Sequence, residues 1–311
     1  MPSNSESGAA NESAPEQRSV PATTTEVPYV SKPQILTRGW SRIEPSDADW
    51  EYISFAVHEL GSGQTLTLAA GPQERALIPL GGTAHAESGS EQWTFGGRSS
   101  VFDGLGWCLY VPMGDEVRVT AVTDVEIAVA EAPATQKFAP VLVTPDDVSI
   151  ELRGGGNASR QVGSLMLPDF PADRLHVVEV WTPGGNWSSF PPHKHEQDRE
   201  GEAQLEETYY YRLKDPENGW ALQRVYSPER DFELSEPVRD GDLLLIPWGY
   251  HTTVAAHGQD LYYLNVLAGP APRRTLQAFE DPCLAPAREQ WPGAGLDARL
   301  PFVPRHPSQP S

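Results

Sequence analysis

The sequence predicts an all-β chain: two antiparallel sandwiches or barrels in tandem. Three observations carry this. Apolar residues come in short alternating or continuous runs broken by Gly, Pro, Asp and Asn. Helical periodicity over a window of about eleven residues is scarce. One phrase occurs twice: GLGWCLYVPMGD from Gly104 and GDLLLIPWGYH from Gly241, each a Gly, a β run and then Pro-x-Gly. Many short runs with turn signals between them read as a sandwich or barrel, and the repeated phrase reads as a duplication.

In chain order, residues 1–32 are rich in Ser, Thr, Pro, Ala and Glu with almost no apolar periodicity, and read as a disordered tail. Residues 33–143 form a first block, with TLTLAA, ALIPL, WCLYVP, VRVTAV and EIAVAEA as its strand-like runs. Residues 144–281 form a second, with LHVVEVW, TYYYRL, ALQRVY, DLLLIP, TTVAA and LYYLNVL. Residues 282–311 are Pro-rich and are expected to wrap over the surface.

The 311 residues carry 23 Lys and Arg against 43 Asp and Glu, a net charge of −20. A surface this anionic argues against nucleic acid or acidic lipid as a partner, since both need Lys/Arg patches. No run of about 20 apolar residues appears, so no membrane span is expected. The N-terminus lacks the basic-then-apolar pattern of a signal peptide, and the only cysteines, Cys108 and Cys283, are far apart. Both features point to a reducing cytoplasm.

The chemistry concentrates in FPPHKHEQDREGEAQLEETYYYRL, residues 190–213. Alternate residues of a strand face one side, so His193 and His195 point together and Lys194 points away. Pro191 and Pro192 mark an edge or the first residues of that strand. If Glu207 faces inward, so do Tyr209 and Tyr211, while Glu206, Thr208 and Tyr210 face the other way. The second copy of the repeated phrase delivers His251 just after its Pro-x-Gly turn. Imidazole and carboxylate are the usual ligands of divalent first-row metals. His193, His195, Glu207 and His251 therefore make a candidate four-ligand set with an open position for Lewis-acid chemistry. Zinc is the expected ion, with manganese or iron as alternatives.

The pattern Gly185-x7-His193-x-His195…Glu207, followed by Gly241-x5-Pro247-x-Gly249-x-His251, resembles the two motifs of the cupin family. It departs from them in spacing, since eleven residues separate His195 from Glu207. The acidic insertion is expected to be a loop at a barrel mouth. TPGGNWSSFPPHKH, LEETYYYRL, IPWGYH and YYLNVLAG, with WTFGGRSSVFDGLGWCLYVP and RGGGNASRQV, are together similar to the 5-deoxy-glucuronate isomerase family of bacterial myo-inositol catabolism, over about residues 35–280. The resemblance implies a bicupin with metal only in the second barrel. In agreement, the first block has His58 and His85 but no His-x-His, and Asp115 and Glu116 follow its Pro-x-Gly.

The family turns an aldehyde with a terminal carboxylate, 5-deoxy-D-glucuronate, into the ketose 2-deoxy-5-keto-D-gluconate. The reaction needs a stabilised enediolate and a proton shuttle. Tyr209, Tyr211 and Tyr263 are the shuttle candidates; Glu206 is a stronger base that should face away. A phenol, with a pKa near 10, would need the metal's help to act as a base. The substrate carboxylate calls for a guanidinium: Arg153 or Arg160, with Arg174 and Arg224 as weaker candidates. The expected partner is a small uronate, and the family implies a homo-oligomer. The competing readings are a 5-keto-4-deoxyuronate isomerase, a metal-dependent cupin dioxygenase and a non-enzymatic sugar-binding bicupin.

Overall fold

The computed structural model describes residues 32–270 and 274–303. The tail expected over residues 1–32 lies outside the described residues except for its last. In chain order the strands are β1 (Gln34–Leu36), β2 (Arg42–Ile43), β3 (Ser54–Leu60), β4 (Thr65–Leu68), β5 (Gln73–Gly81), β6 (Thr83–Ser88), β7 (Glu91–Gly96), β8 (Cys108–Val111), β9 (Val117–Ala121), β10 (Val125–Pro133) and β11 (Val141–Val143). Then follow β12 (Ser149–Arg153), β13 (Arg160–Met166), β14 (His176–Thr182), β15 (Trp187–Lys194), β16 (Glu206–Leu213), β17 (Ala221–Ser227), β18 (Phe232–Val238), β19 (Leu243–Ile246), β20 (Tyr250–Ala255), β21 (Leu261–Ala268) and β22 (Phe279–Glu280). The only α-helix among the described residues is α1 (Trp291–Ala294), and no helix is long and apolar enough to cross a membrane.

These strands make four antiparallel sheets. The first block supplies a six-stranded sheet, β11-β8-β5-β10-β3-β2, and a four-stranded one, β4-β9-β6-β7. The second supplies a seven-stranded sheet, β1-β19-β16-β21-β14-β13-β12, and a five-stranded one, β18-β17-β20-β15-β22. The sheets stay open: hydrogen bonding does not run from one to the next around a closed ring. The two copies of the repeated phrase become β8 and β19, which hold matching places next to the edge strand of the two larger sheets. β1 pairs with β19, so the chain's first described strand joins the second block's sheet.

Three apolar cores follow from strand alternation. One lies between the six- and four-stranded sheets and includes Leu77, Phe95, Leu109 and Val129. A second lies between the seven- and five-stranded sheets and includes Tyr209, Tyr211, Val225 and Tyr263. The third joins the two larger sheets and includes Phe55, Tyr110, Trp181, Tyr210 and Tyr262. The tyrosine run thus reads by parity: Tyr209 and Tyr211 face one core and Tyr210 the other.

The join between the blocks also carries buried charge. Arg98 lies 2.6 Å from Glu179, and the same carboxylate accepts hydrogen bonds from the Tyr262 hydroxyl at 2.9 Å and the Gly106 amide at 2.8 Å. Removing one partner of a buried pair strands the other. Arg98→Met should therefore destabilise the protein by about 3 kcal/mol or more, read as a lowered urea midpoint.

His176 is buried beside Arg274, and burial followed by that guanidinium pushes its pKa down to about 3. An unfolded histidine takes up its proton near pH 6.5, so the unfolded state gains protons first as pH falls. The stability that the neutral ring contributes is complete above pH 6.5 and declines toward pH 3. Between pH 7 and pH 5, denaturant melts of the wild type should lose about 2 kcal/mol more stability than those of His176→Gln.

Candidate metal centre

The sequence builds the site on two facing sheets. His193 sits on β15 directly across from His251 on β20. Glu207 comes from β16 in the seven-stranded sheet, paired with Ile246 and Leu267. The Pro247-Trp248-Gly249 turn leads into β20, and Gly249 is needed there: its φ is 99°, and a Cβ would lie 3.1 Å from the Tyr226 carbonyl.

Pro191 and Pro192 do not begin a strand. They lie within β15 at a wide irregularity, where five positions from Ser188 to His193 span only two on β20, from Thr253 to His251. A bulge is one of the few places where a sheet admits proline, and it re-aims the side chains on either side.

The insertion between His195 and Glu207 is solvated in its middle, with residues 197–201 and Gln204 exposed, but it is tied down at its end. The chain returns at Leu205, whose amide donates to the His195 carbonyl at 2.8 Å and whose carbonyl accepts from His195 Nδ1 at 2.9 Å. These two bonds close the excursion and set Glu207 beside His195 despite the long spacing. Glu202 is buried and accepts from the Glu196 amide, and Ala203 and Leu205 pack with Leu267. Lys194 points to the opposite face from the histidines, where it is buried against Glu196 and the Tyr250 ring rather than exposed.

His195 Nε2 and His251 Nε2 lie 2.8 and 2.9 Å from the same carboxylate oxygen, Glu207 Oε2. The ligand atoms of these three buried residues fall within 4.8 Å of one another. The His193 ring stands beside them, 4.6 Å from that of His251 between centroids. Burial alone would raise the Glu207 carboxyl, but His251 and His195 hold it well below the usual carboxylate range. Burial disfavours a charged His195 too, yet the Glu207 charge raises its pKa overall. Burial, with His251 close by, pushes His193 down to about 3.

The donor set fits a divalent cation, and the hydrogen bonds show why. All three imidazoles aim Nδ1 at a backbone carbonyl: Pro191 for His193 at 3.2 Å, Leu205 for His195 and Gly249 for His251 at 3.1 Å. A carbonyl only accepts, so each Nδ1 carries the hydrogen and each neutral ring presents an Nε2 lone pair. Two such lone pairs facing one carboxylate repel it. A single proton relieves only the His195 contact, and His251 Nε2 then has no hydrogen-bond partner. A divalent cation relieves both, and the Nδ1 contacts are the outer bonds that orient metal-binding histidines.

Beside this cluster lies a cavity of about 150 Å³. Tyr209, Tyr263, Ser189 and Asn265 line it, with Arg160 and Arg153 on the side of β12 and β13 and Leu205, Leu267 and Leu276 as apolar wall. Arg160 is buried, donates to the Ala158 carbonyl at 3.1 Å and lies over the Trp291 ring, and among the described residues it has no ion-pair partner. Burial lowers its pKa to about 10, still a cation at neutral pH. Arg153 is paired instead with Glu151 at 2.5 Å. Tyr211 faces the same core, but its hydroxyl donates to Gln223 at 2.6 Å and it does not line the cavity. Glu206 is on the far face, accepting from the amides of Glu51, Tyr52 and Ile53. Arg174 and Arg224 are elsewhere, against Asp173 and the Tyr52 ring and against Glu233 respectively. Ser189 and Asn265 were not singled out by sequence. Asn265 shares the parity of Tyr263 on β21, which was the available signal; its Oδ1 is buried with no partner.

An open pair of packed sheets holding a metal-type cluster and a polar cavity defines a cupin-like protein. The chain belongs to the KduI/IolB family, whose model matches residues 30–286. Its relatives include the 5-deoxy-glucuronate isomerase of Geobacillus kaustophilus (strain HTA426), 43% identical over 244 residues covering 78% of this chain and 87% of the relative. That of Bacillus subtilis (strain 168) is 36% identical over 247 residues, 77% of this chain and 89% of the relative. Among solved structures, an IolB-like protein from Salmonella typhimurium LT2 matches with a TM-score of 0.78 at 36% identity, covering 81% of this chain and 97% of that one. Oxalate decarboxylase matches with a TM-score of 0.57 at 12% identity, covering 77% and 74%, a likeness of fold alone.

A buried guanidinium with no carboxylate beside it costs stability in the free protein. Arg160→Met should leave the thermal midpoint unchanged or raise it by a few degrees while weakening the binding of small carboxylates at least tenfold, read by calorimetry.

Proposed function

We propose that this protein is an aldose–ketose isomerase that converts 5-deoxy-D-glucuronate into 2-deoxy-5-keto-D-gluconate in the cytoplasm. The observation that carries the reading is a single cavity with a metal-type ligand set on one side and a buried, carboxylate-free arginine on another. A substrate with a carbonyl at one end and a carboxylate at the other is complementary to both. The family and the names of the relatives point the same way.

In this reading His193, His195, Glu207 and His251 hold the cation, with zinc the expected ion on its nitrogen donors. The bound cation supplies Lewis-acid polarisation of the substrate carbonyl and the neighbouring hydroxyl. The protein's own groups do the rest. Arg160 holds the carboxylate and fixes the direction in which the chain of carbons lies. Leu205, Leu267 and Leu276 keep water from the reacting carbons. Asn265 Oδ1 accepts a hydrogen bond from a substrate hydroxyl. Tyr209 and Tyr263 are the proton-handling groups, a role for which Tyr211 and Glu206 are poorly placed. The two sheet pairs correspond to the two barrels of a bicupin, and among the described residues only the second pair holds a metal-type cluster.

The test is NMR of 5-deoxy-D-glucuronate with purified protein, before and after chelation and with zinc, manganese or iron(II) returned. Ketose formation that stops with chelator and resumes with metal, without oxygen uptake, is expected. No conversion by metal-loaded protein sinks the substrate assignment; oxygen uptake favours a dioxygenase, and turnover of 5-keto-4-deoxyuronate alone favours the related isomerase. His251→Ala should bind less than a tenth of the wild-type metal after dialysis, measured by elemental analysis.

A further inference from the structure

We propose that Ser189 joins the Tyr209 and Tyr263 hydroxyls into a closed relay that carries the substrate's hydroxyl proton between adjacent oxygens. This rests on the isomerase reading above. Ser189 Oγ lies 2.8 Å from the Tyr209 hydroxyl and 3.1 Å from that of Tyr263, and Tyr263 also meets Ser188 Oγ at 2.8 Å. All four residues are buried, and Ser189, Tyr209 and Tyr263 line the cavity beside Glu207. The two tyrosine rings are stacked, 4.5 Å apart between centroids, so neither phenol can swing freely.

The backbone at Ser189 makes the same point independently. Its φ is 51°, a left-handed conformation that a non-glycine residue adopts only where surrounding structure imposes it. It lies in the irregular stretch of β15, and that distortion turns its side chain inward next to Ser188, which a regular strand would place on opposite faces. Two successive serines thus reach the Tyr263 hydroxyl, and Ser189 reaches that of Tyr209 as well. Glycine would fit this backbone better, so the retained side chain is what needs explaining.

An aldose–ketose shift moves two protons. One leaves carbon and returns to the neighbouring carbon; the other leaves the hydroxyl oxygen and ends on the former carbonyl oxygen. The relay handles the second. The substrate O–H breaks as one phenol oxygen accepts its proton. That phenol passes its own proton to Ser189, Ser189 passes one to the other phenol, and that phenol delivers one to the former carbonyl oxygen. Each hydroxyl gives one proton and takes one, so the relay ends as it began and no group must hold a charge. Ser188 anchors the Tyr263 end. Ser189 is a positioning residue that acts through the two tyrosines.

The experiment compares wild type, Ser189→Gly and Tyr263→Phe on 5-deoxy-D-glucuronate, with metal content and thermal midpoint as fold controls. Rates are measured across mixtures of H2O and D2O. Glycine accepts the left-handed backbone, so Ser189→Gly removes the hydroxymethyl group without straining the chain. The expected result is a fall in kcat of about 100-fold with KM within about threefold. The wild-type rate should curve with deuterium fraction, as several protons in flight require, and both variants should give a straight line. Ser189→Gly with wild-type kcat, or a slowed variant that keeps the curved dependence, overturns the relay while the isomerase reading stands. A wild type that does not turn over the substrate overturns both.

Discussion

The site depends on one electrostatic constraint: the Glu207 carboxylate is held in a protein interior among imidazoles whose outer nitrogens are already committed to backbone carbonyls. A buried carboxylate with no compensating charge costs several kcal/mol. Here the compensation must come from the inner side, where Nε2 of His195 and His251 meet Glu207 Oε2. The backbone around the cluster serves this geometry. The β15 irregularity brings the Pro191 carbonyl to His193, the return of the insertion brings the Leu205 carbonyl to His195, and the Gly249 turn presents its carbonyl to His251. Three unrelated local devices thus impose one tautomer on three rings.

The two blocks share an architecture and differ in what they enclose. Between the six- and four-stranded sheets the interior is apolar around Leu77, Phe95, Leu109 and Val129, with a buried Arg75–Glu131 pair at 2.6 Å on the same strands, and among the described residues no metal-type cluster lies there. The block contributes in another way. Its six-stranded sheet covers the outer face of the seven-stranded sheet, burying Tyr210 and Tyr262. Tyr209, Tyr211 and Tyr263 belong to the same two strands with opposite parity, so packing between the blocks restrains the strands that carry the cavity wall. The Arg98–Glu179–Tyr262 network adds hydrogen bonds of defined direction to that apolar contact.

The C-terminal segment completes the second block. Leu276 and Ala278 line the cavity, and β22 pairs with His193 and Lys194. Beyond it, Trp291 covers Arg160 and the glycine-rich turn before β13; a Cβ on Gly155 would come within 2.5 Å of Trp291 Cα. Gln161 and Val303 exchange two buried hydrogen bonds, at 2.7 and 2.9 Å. The strap therefore shields the cationic end of the cavity, where a low dielectric strengthens the attraction of a guanidinium for a carboxylate.

The sequence alone determined the all-β class, the repeated β-run phrase and the strand parity of the imidazole and carboxylate residues, because these rest on local rules. Strand alternation sorts Tyr209 from Tyr210, and the Pro-x-Gly turn places His251 at a strand start. The RGGGNASR stretch offered two guanidinium groups for a carboxylate, but the sequence left open whether Arg153 or Arg160 would be free to take it. That was decided by tertiary packing, which pairs Arg153 outward and leaves Arg160 buried under Trp291. The fate of the insertion was only half legible: residues 197–201 are exposed, as its acidic composition suggests, whereas the His195–Leu205 bonds fold its end back as a wall. Ser189 escaped notice for the same reason. Its role follows from a left-handed φ inside a strand and from hydroxyls on β16 and β21, and contacts between residues distant in sequence have no period to read.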